Sequence, residues 1–349
     1  MNKNFILIPV AACLAAGCAK APVPAVTETD LTVNLAGLSA TKSTDGSASE
    51  NRIGNLTLFV FDAGGMLDVS HACTQAEIDA GRATLRIKTG TKVVYAVANM
   101  NEGLAARANA VVRQADLDAV PYALSDNGPS SLVMRGVSAA APVTGSGGTA
   151  TVSLARGVAR VWLGSARNNL PAPYGSVKVR HAFLCNVVGN RDLGGQAAPD
   201  PARYVNQEAT RGHVRAQVIG TGSVEAECKD LTFRSLGDDL AWNATRTYDQ
   251  CFFYAFPNAL TTPNQGFHTQ FLPTATVLMV VVTILGTDYY YPVPLSGGIA
   301  ANTEYRVDLT LSGLGNTADD PFIRIEKADL SANIRVSPWD TGAGISENI

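Results

Sequence analysis

Leu31-Thr32-Val33-Asn34-Leu35-Ala36 alternates apolar and polar side chains with a period of two, the pattern of a strand with one face buried and one face wet. Asn55 to Phe61 follows with Leu56, Leu58 and Val60 on one face and Phe59 and Phe61 on the other, closed by the turn-forming Asp62-Ala63-Gly64-Gly65. Ala83 to Ile87 reads as a further strand, and Lys92 to Ala98 is apolar enough to be a buried one. Thr74 to Asp79 and Asn101 to Gln114 carry short helical patterns. Gly145 to Gly148 makes a turn before Ala150 to Leu154 and Val158 to Leu163.

The second half repeats this style. Ser176 to Val188 alternates, Cys251 to Phe256 is aromatic-rich, and Ala275 to Leu285 is β-branched and hydrophobic. Tyr289 to Val293 and Glu304 to Leu311 follow. Near the C-terminus, Leu330, Ala332, Ile334 and Val336 oppose Ser331, Asn333 and Arg335. Strands punctuated at these intervals by Gly, Pro and Asn predict an all-β chain of two β-sandwich domains with a few short helices. Asn168-Asn169-Leu170-Pro171-Ala172-Pro173 reads as the joint, giving an N-terminal domain over 30–167 and a C-terminal domain over 174–349.

The N-terminus has a different character. Lys3 precedes the apolar stretch Phe5 to Leu14, and Leu14-Ala15-Ala16-Gly17 leads into Cys18. This is a secretory signal over 1–17 ending in a lipoprotein-type processing site, at which the Cys18 thiol is acylated, with palmitate among the expected chains. The stretch is too short to span a bilayer. Residues 18–29, rich in Pro and Ala, form a tether. An ordinary export signal with an incidental cysteine is the alternative, and both readings take the chain out of the cytoplasm.

Composition bounds the function. The 349 residues are 46% hydrophobic and 16% charged, a globular balance. With a net charge of −3 the chain offers no basic stripe to neutralise phosphates, so nucleic acid is not an expected partner. His71, His181, His213 and His268 are scattered, and neither a metalloprotease helix, a nucleophile elbow nor a phosphate loop occurs. Cys73, Cys185, Cys228 and Cys251 remain for the folded part. They allow three disulfide pairings, which stay open, and lack the C-x-x-C spacing of zinc or redox motifs. No enzyme, cofactor or metal is expected. Phe252, Phe253, Tyr254 and Tyr289-Tyr290-Tyr291 could line a sugar-binding platform or fill strand interiors.

Dispersed blocks resemble the type V, FimA-like fimbrial subunits of Gram-negative anaerobes. In the first half these are Ile53-Gly54-Asn55-Leu56-Thr57-Leu58-Phe59-Val60-Phe61-Asp62, Val94-Tyr95-Ala96-Val97-Ala98-Asn99 and Leu154-Ala155-Arg156-Gly157-Val158-Ala159-Arg160-Val161. In the second they are Phe256-Pro257-Asn258, Asn302-Thr303-Glu304-Tyr305-Arg306-Val307-Asp308-Leu309-Thr310-Leu311 and Ile334-Arg335-Val336-Ser337-Pro338-Trp339. The resemblance implies sandwich domains of transthyretin-like, Greek-key type. It also implies a lipoprotein precursor carried to the outer membrane, from which a trypsin-like protease removes the N-terminal strand so that a neighbouring subunit's strand can take its place. The surface fimbrium built in this way supports adhesion.

On that pattern the removable strand is 30–38, with Leu31, Val33, Leu35 and Leu38 as its buried side chains. The family's cut usually follows Arg; the matching bond here is Lys42–Ser43, with Arg52–Ile53 as the alternative. Donor-strand candidates are Leu330, Ala332, Ile334 and Val336, with Ile345 and Ile349 in the tail. Expected partners are other copies of the chain, accessory fimbrial subunits, the outer membrane before processing, and the protease. The alternative function is a lipid-anchored surface protein, uncut and not polymerised, that binds glycan or a host protein.

Overall fold

The structure is a computed structural model describing residues 27–36, 50–195, 204–206, 228–259, 275–295, 297–317, 325, 329–339 and 345–348. Cys18, Leu38, Lys42, Ser43 and Ile349 lie outside the described residues, as does the signal segment.

In the first half, β1 (Glu28–Ala36) precedes the hairpin of β2 (Leu56–Asp62) and β3 (Leu67–Ala72). The Asp62 carboxylate accepts from the amides of Gly64 and Met66 at 2.8 and 3.0 Å, which closes that turn and lowers the Asp62 pKa. Helix α1 (Gln75–Ala80) leads into β4 (Arg82–Lys88) and β5 (Gly90–Ala98). Helices α2 (Glu102–Asn109) and α3 (Gln114–Asp118) precede β6 (Pro121–Ala123), β7 (Met134–Val137), β8 (Ala141–Val143), β9 (Gly148–Ser153) and β10 (Ala155–Arg156).

Two sheets result, one in the order β4-β1-β9 and the other β10-β7-β5-β2-β3 with β8 also on β5. They close on a core that includes Leu31, Val33, Leu58, Val60, Leu85, Ile87, Val94 and Val152. Phe59, Phe61, Tyr95 and Val97 project from the opposite face of the larger sheet. They join Leu104 and Ala108 of α2 and Leu117 of α3 in a second core. β2 and β5 are apolar on both sides because both of their faces are covered.

The second half begins with β11 (Ala159–Asn168) and β12 (Val177–Cys185). The short β13 (Val187–Val188) and β14 (Asn190–Asp192) pair with β15 (Tyr204–Val205) and β6. Next come β16 (Phe233–Leu240), β17 (Thr245–Thr247), β18 (Phe252–Ala255), β19 (Val277–Ile284) and β20 (Thr287–Pro294). The last three are β21 (Thr303–Leu311), β22 (Leu330–Pro338) and β23 (Ile345–Asn348). One sheet runs β17-β11-β21-β22-β23 with β18 also on β11, and the other β16-β12-β19-β20. The all-β class with a few short helices is as the sequence predicts.

One placement differs from expectation. β11, read from sequence as the end of the first domain, pairs in parallel with β21 and antiparallel with β17 and β18. The chain therefore enters the second set of sheets before residue 159, ahead of the expected joint at 168–173. A parallel partner more than a hundred residues away leaves no local signal.

Leu31 is fully buried in the middle of its sheet. Leu31→Ala is expected to cost about 2–5 kcal/mol, read as a lower urea midpoint with an unchanged slope.

Candidate strand-exchange site

β1 lies between two strands that do not pair with each other. It runs antiparallel to β4, with Leu31 opposite Leu85 and Val33 opposite Ala83. It runs parallel to β9, with Leu31 opposite Gly148, Val33 opposite Ala150 and Leu35 opposite Val152. Leu31 and Val33 are fully buried and Leu35 nearly so. Backbone bonds secure both ends: Thr89 N–H donates to Thr27 C=O at 2.9 Å, and Leu35 N–H to Gly81 C=O at 2.9 Å. Burying each such aliphatic side chain is worth roughly 1.5–3 kcal/mol. Without β1, the sandwich keeps an apolar trough flanked by two edges of unpaired backbone groups, the arrangement that recruits another strand.

Ahead of β2 stands Glu50, a carboxylate only 2% exposed. Its Oε2 accepts from Arg160 Nη1 of β11 at 2.5 Å, and its Oε1 accepts from the Tyr254 hydroxyl of β18. Arg160 also donates from Nε to Glu304 Oε2 of β21 at 2.7 Å. The Arg160 guanidinium lies 4.5 Å from the centre of the Phe252 ring, and that of Arg156 lies 4.4 Å from Trp339, just beyond β22. Arg156 donates from Nη1 to Asn302 at 3.1 Å and from Nη2 to Asn51. Burial pushes the Tyr254 phenol up, and the Glu50 carboxylate pushes it further. Glu50 thus fastens the first half directly to β11 and β18 of the second, and through Arg160 to β21.

Arg52 follows with an exposed side chain but a held backbone. Its carbonyl accepts from Asn99 Nδ2 at 2.9 Å, and Gly54 N–H donates to Asn99 Oδ1 at 2.8 Å. Asn99 does this from a left-handed conformation, φ 59°, and also donates to Leu132 C=O at 2.8 Å. Ile53 is half-buried against the first core.

The donor candidates lie in the other half's sheet. β22 is paired on both sides, with β21 and β23, and buries Ala332 and Ile334. Leu330 and Val336 pack half-buried against the same core. β23 is the outermost strand, with Ile345 opposite Val336. The structure does not bring these strands to the β1 trough.

The C-terminal aromatics do not form a platform. Phe252, Phe253, Tyr254, Tyr290 and Tyr291 are each at most 7% exposed, and Tyr291 OH donates to Gly313 C=O at 2.9 Å. Alternation alone cannot tell a buried aromatic face from a presented one. Burial likewise pushes the Cys251 thiol up to about 12, which leaves it unreactive. Sequence reasoning missed Glu50, Arg160, Glu304 and Tyr254 as a cluster. The available signal was two arginines, Arg156 and Arg160, in an otherwise apolar run that had to bury them.

Residues 29–162 match the sequence model of the family described as major fimbrial subunit protein (FimA). The fold is shared with solved structures over nearly the whole chain. A candidate cell adhesion protein from Bacteroides eggerthii superposes with a TM-score of 0.62 at 20% identity, covering 90% of this chain and 97% of that one. A FimA fimbrilin from Porphyromonas gingivalis W83 gives 0.56 at 16% identity, covering 89% and 97%. The tip fimbrial protein Mfa3 from Porphyromonas gingivalis gives 0.50 at 14% identity, covering 90% and 100%. No curated protein matches the chain by sequence.

The fold is that of solved fimbrial and adhesion proteins, and the matched segment is similar to a family of fimbrial subunits. More particularly, the segment 29–162, somewhat over a third of the chain, carries the likeness to the FimA major fimbrial subunits.

Removing one member of a buried ion pair strands the other. Glu50→Ala is expected to cost about 3–5 kcal/mol and Tyr254→Phe about 0.5–1.5 kcal/mol, both measured by denaturant unfolding of the full chain.

Proposed function

We propose that this subunit is assembled into a surface fimbrium by strand replacement. The precursor is exported, acylated on Cys18 and held at the outer membrane. A trypsin-like protease then cuts the chain and β1 leaves. A strand from the C-terminal region of another copy, or of an accessory subunit, fills the vacated slot. Such a head-to-tail contact does not close on itself and yields a filament. The observation that carries the reading is the placement of β1 as the middle strand of a sheet whose other two members have no direct pairing.

The buried charges favour Lys42–Ser43 over Arg52–Ile53 as the bond cut. A cut after Arg52 would remove Glu50 and Asn51 together with β1. Arg160 would lose one of its two carboxylates, Tyr254 its acceptor and Arg156 one of its partners, all inside the protein. The Arg52–Ile53 bond is also spanned by the Asn99 side chain, which would have to let go before a protease could bind an extended segment. A cut after Lys42 leaves these contacts in place. Among the donor candidates, the outer strand β23 has a ladder on one side to give up and β22 has two. This favours the tail bearing Ile345 and Ile349 as the part that moves first.

N-terminal sequencing of material sheared from cells tests the scheme. The expected start is Ser43, with SDS-resistant ladders on gels, and Lys42→Ala should abolish both. Surface molecules that all retain residues 31–38 and an acylated Cys18 would instead indicate an uncut, anchored protein.

A further inference from the structure

Away from the β1 slot, three side chains of different donor chemistry converge at the corner between β3 and α1. His71 lies in β3, and Cys73 just past its end, two residues on and so on the same side of an extended chain. Glu77 reaches back from the first turn of α1. His71 Nε2 lies 3.0 Å from Glu77 Oε1 and 3.1 Å from Oε2. The imidazole nitrogen, the thiol sulfur and the carboxylate oxygen all lie within 4.8 Å of one another.

The corner is held in this shape by its backbone. Cys73 N–H donates to Leu56 C=O at 2.8 Å, and His71 sits opposite Leu58 in the β2–β3 ladder. Thr74 caps the helix, and both its amide and its hydroxyl donate to Glu77 Oε2, at 2.7 and 2.9 Å. Oε1 meanwhile faces His71. The cap explains Thr74 and Glu77 but gives no role to His71 or Cys73. A zinc ion with bonds of about 2.0–2.3 Å in tetrahedral geometry sets its ligand atoms roughly 3.3–3.6 Å apart. The donors therefore need to shift by only about 1 Å to enclose one. Thiolate, imidazole and carboxylate are the donor types that suit zinc, and the two anionic ligands balance its charge. All three residues are half-buried, which leaves room for an ion to enter.

We propose that His71, Cys73 and Glu77 form a divalent metal site of the zinc class, with three protein ligands and a fourth position open to solvent. The C-x-x-C spacing that usually announces zinc is absent because the ligands come from a strand, the residue after it and a helix, only one of them a cysteine. Sulfur ligates a metal as the thiolate. Loading therefore releases a proton from sulfur. The bound ion clips the first turn of α1 to the end of β3.

The test titrates the purified full chain with Zn2+ and with Co2+, its thiols kept reduced by a non-chelating phosphine. Expected are one Zn2+ per chain, a thiolate-to-cobalt charge-transfer absorption, and a binding heat that changes with the ionisation enthalpy of the buffer. Cys73→Ser should remove the charge-transfer band, and both Cys73→Ser and His71→Ala should weaken Zn2+ binding at least tenfold with an unchanged circular dichroism spectrum. Equal Zn2+ binding by the wild type and Cys73→Ser, or no binding by the wild type, would overturn the proposal. Neither outcome bears on β1, so the fimbrial reading stands or falls separately.

Discussion

The β4-β1-β9 sheet exists only because β1 supplies its middle. A sandwich needs two covered faces, and in the first half one face is built from strands that come together through a segment at the start of the fold. Leu31, Val33 and Leu35 fill the trough, and their backbone satisfies both flanking ladders. Buried apolar area and backbone pairing therefore depend on the same nine residues. The large core that the second half shares with β2, β5, α2 and α3, and the small one on β12, β19 and β20, draw nothing from β1. The segment that completes one sandwich is thus peripheral to the other, which confines the consequences of its loss to one half of the molecule.

The two halves share that large apolar core and are fastened together by charge as well. Glu50 and Glu304 enclose Arg160, with Tyr254, Phe252 and Trp339 around them. A buried ion cluster contributes little net stability because desolvation offsets most of its attraction. It does penalise any arrangement that separates its members, and so it specifies where residues 50 and 51 must sit. The anchor falls just before β2 begins its own ladder, so the point from which the chain enters β2 is set by the second half.

Much of the architecture was legible in sequence, for identifiable reasons. Period-two alternation located β1, β4, β12 and β22, and the two-sided apolar character of β2 and β5 marked strands covered on both faces. The short helical pattern of Thr74 to Asp79 located α1, which Thr74 and Glu77 cap. What could not be read was long-range. Nothing near β11 announces β21 as its parallel neighbour, and Glu50 and Arg160 are 110 residues apart. The aromatics of β18 and β20 stayed open between a sugar platform and a buried face, since strand periodicity tells which side chains share a face and not whether that face meets solvent. The candidate site was legible only in part. Leu31, Val33 and Leu35 lie where alternation placed them, whereas Leu38, Lys42, Ser43 and Ile349 fall outside the described residues.

The trough under β1 is lined by main-chain ladder groups and by small aliphatic side chains such as Ala83, Leu85, Ala150 and Val152. Such a receptacle gauges spacing and bulk. It rewards any extended segment with aliphatics at alternate positions and is almost indifferent to which aliphatics they are. Were strands exchanged there as proposed, interchangeability would be built into the lock, and a preference for one occupant over another would have to be encoded outside it.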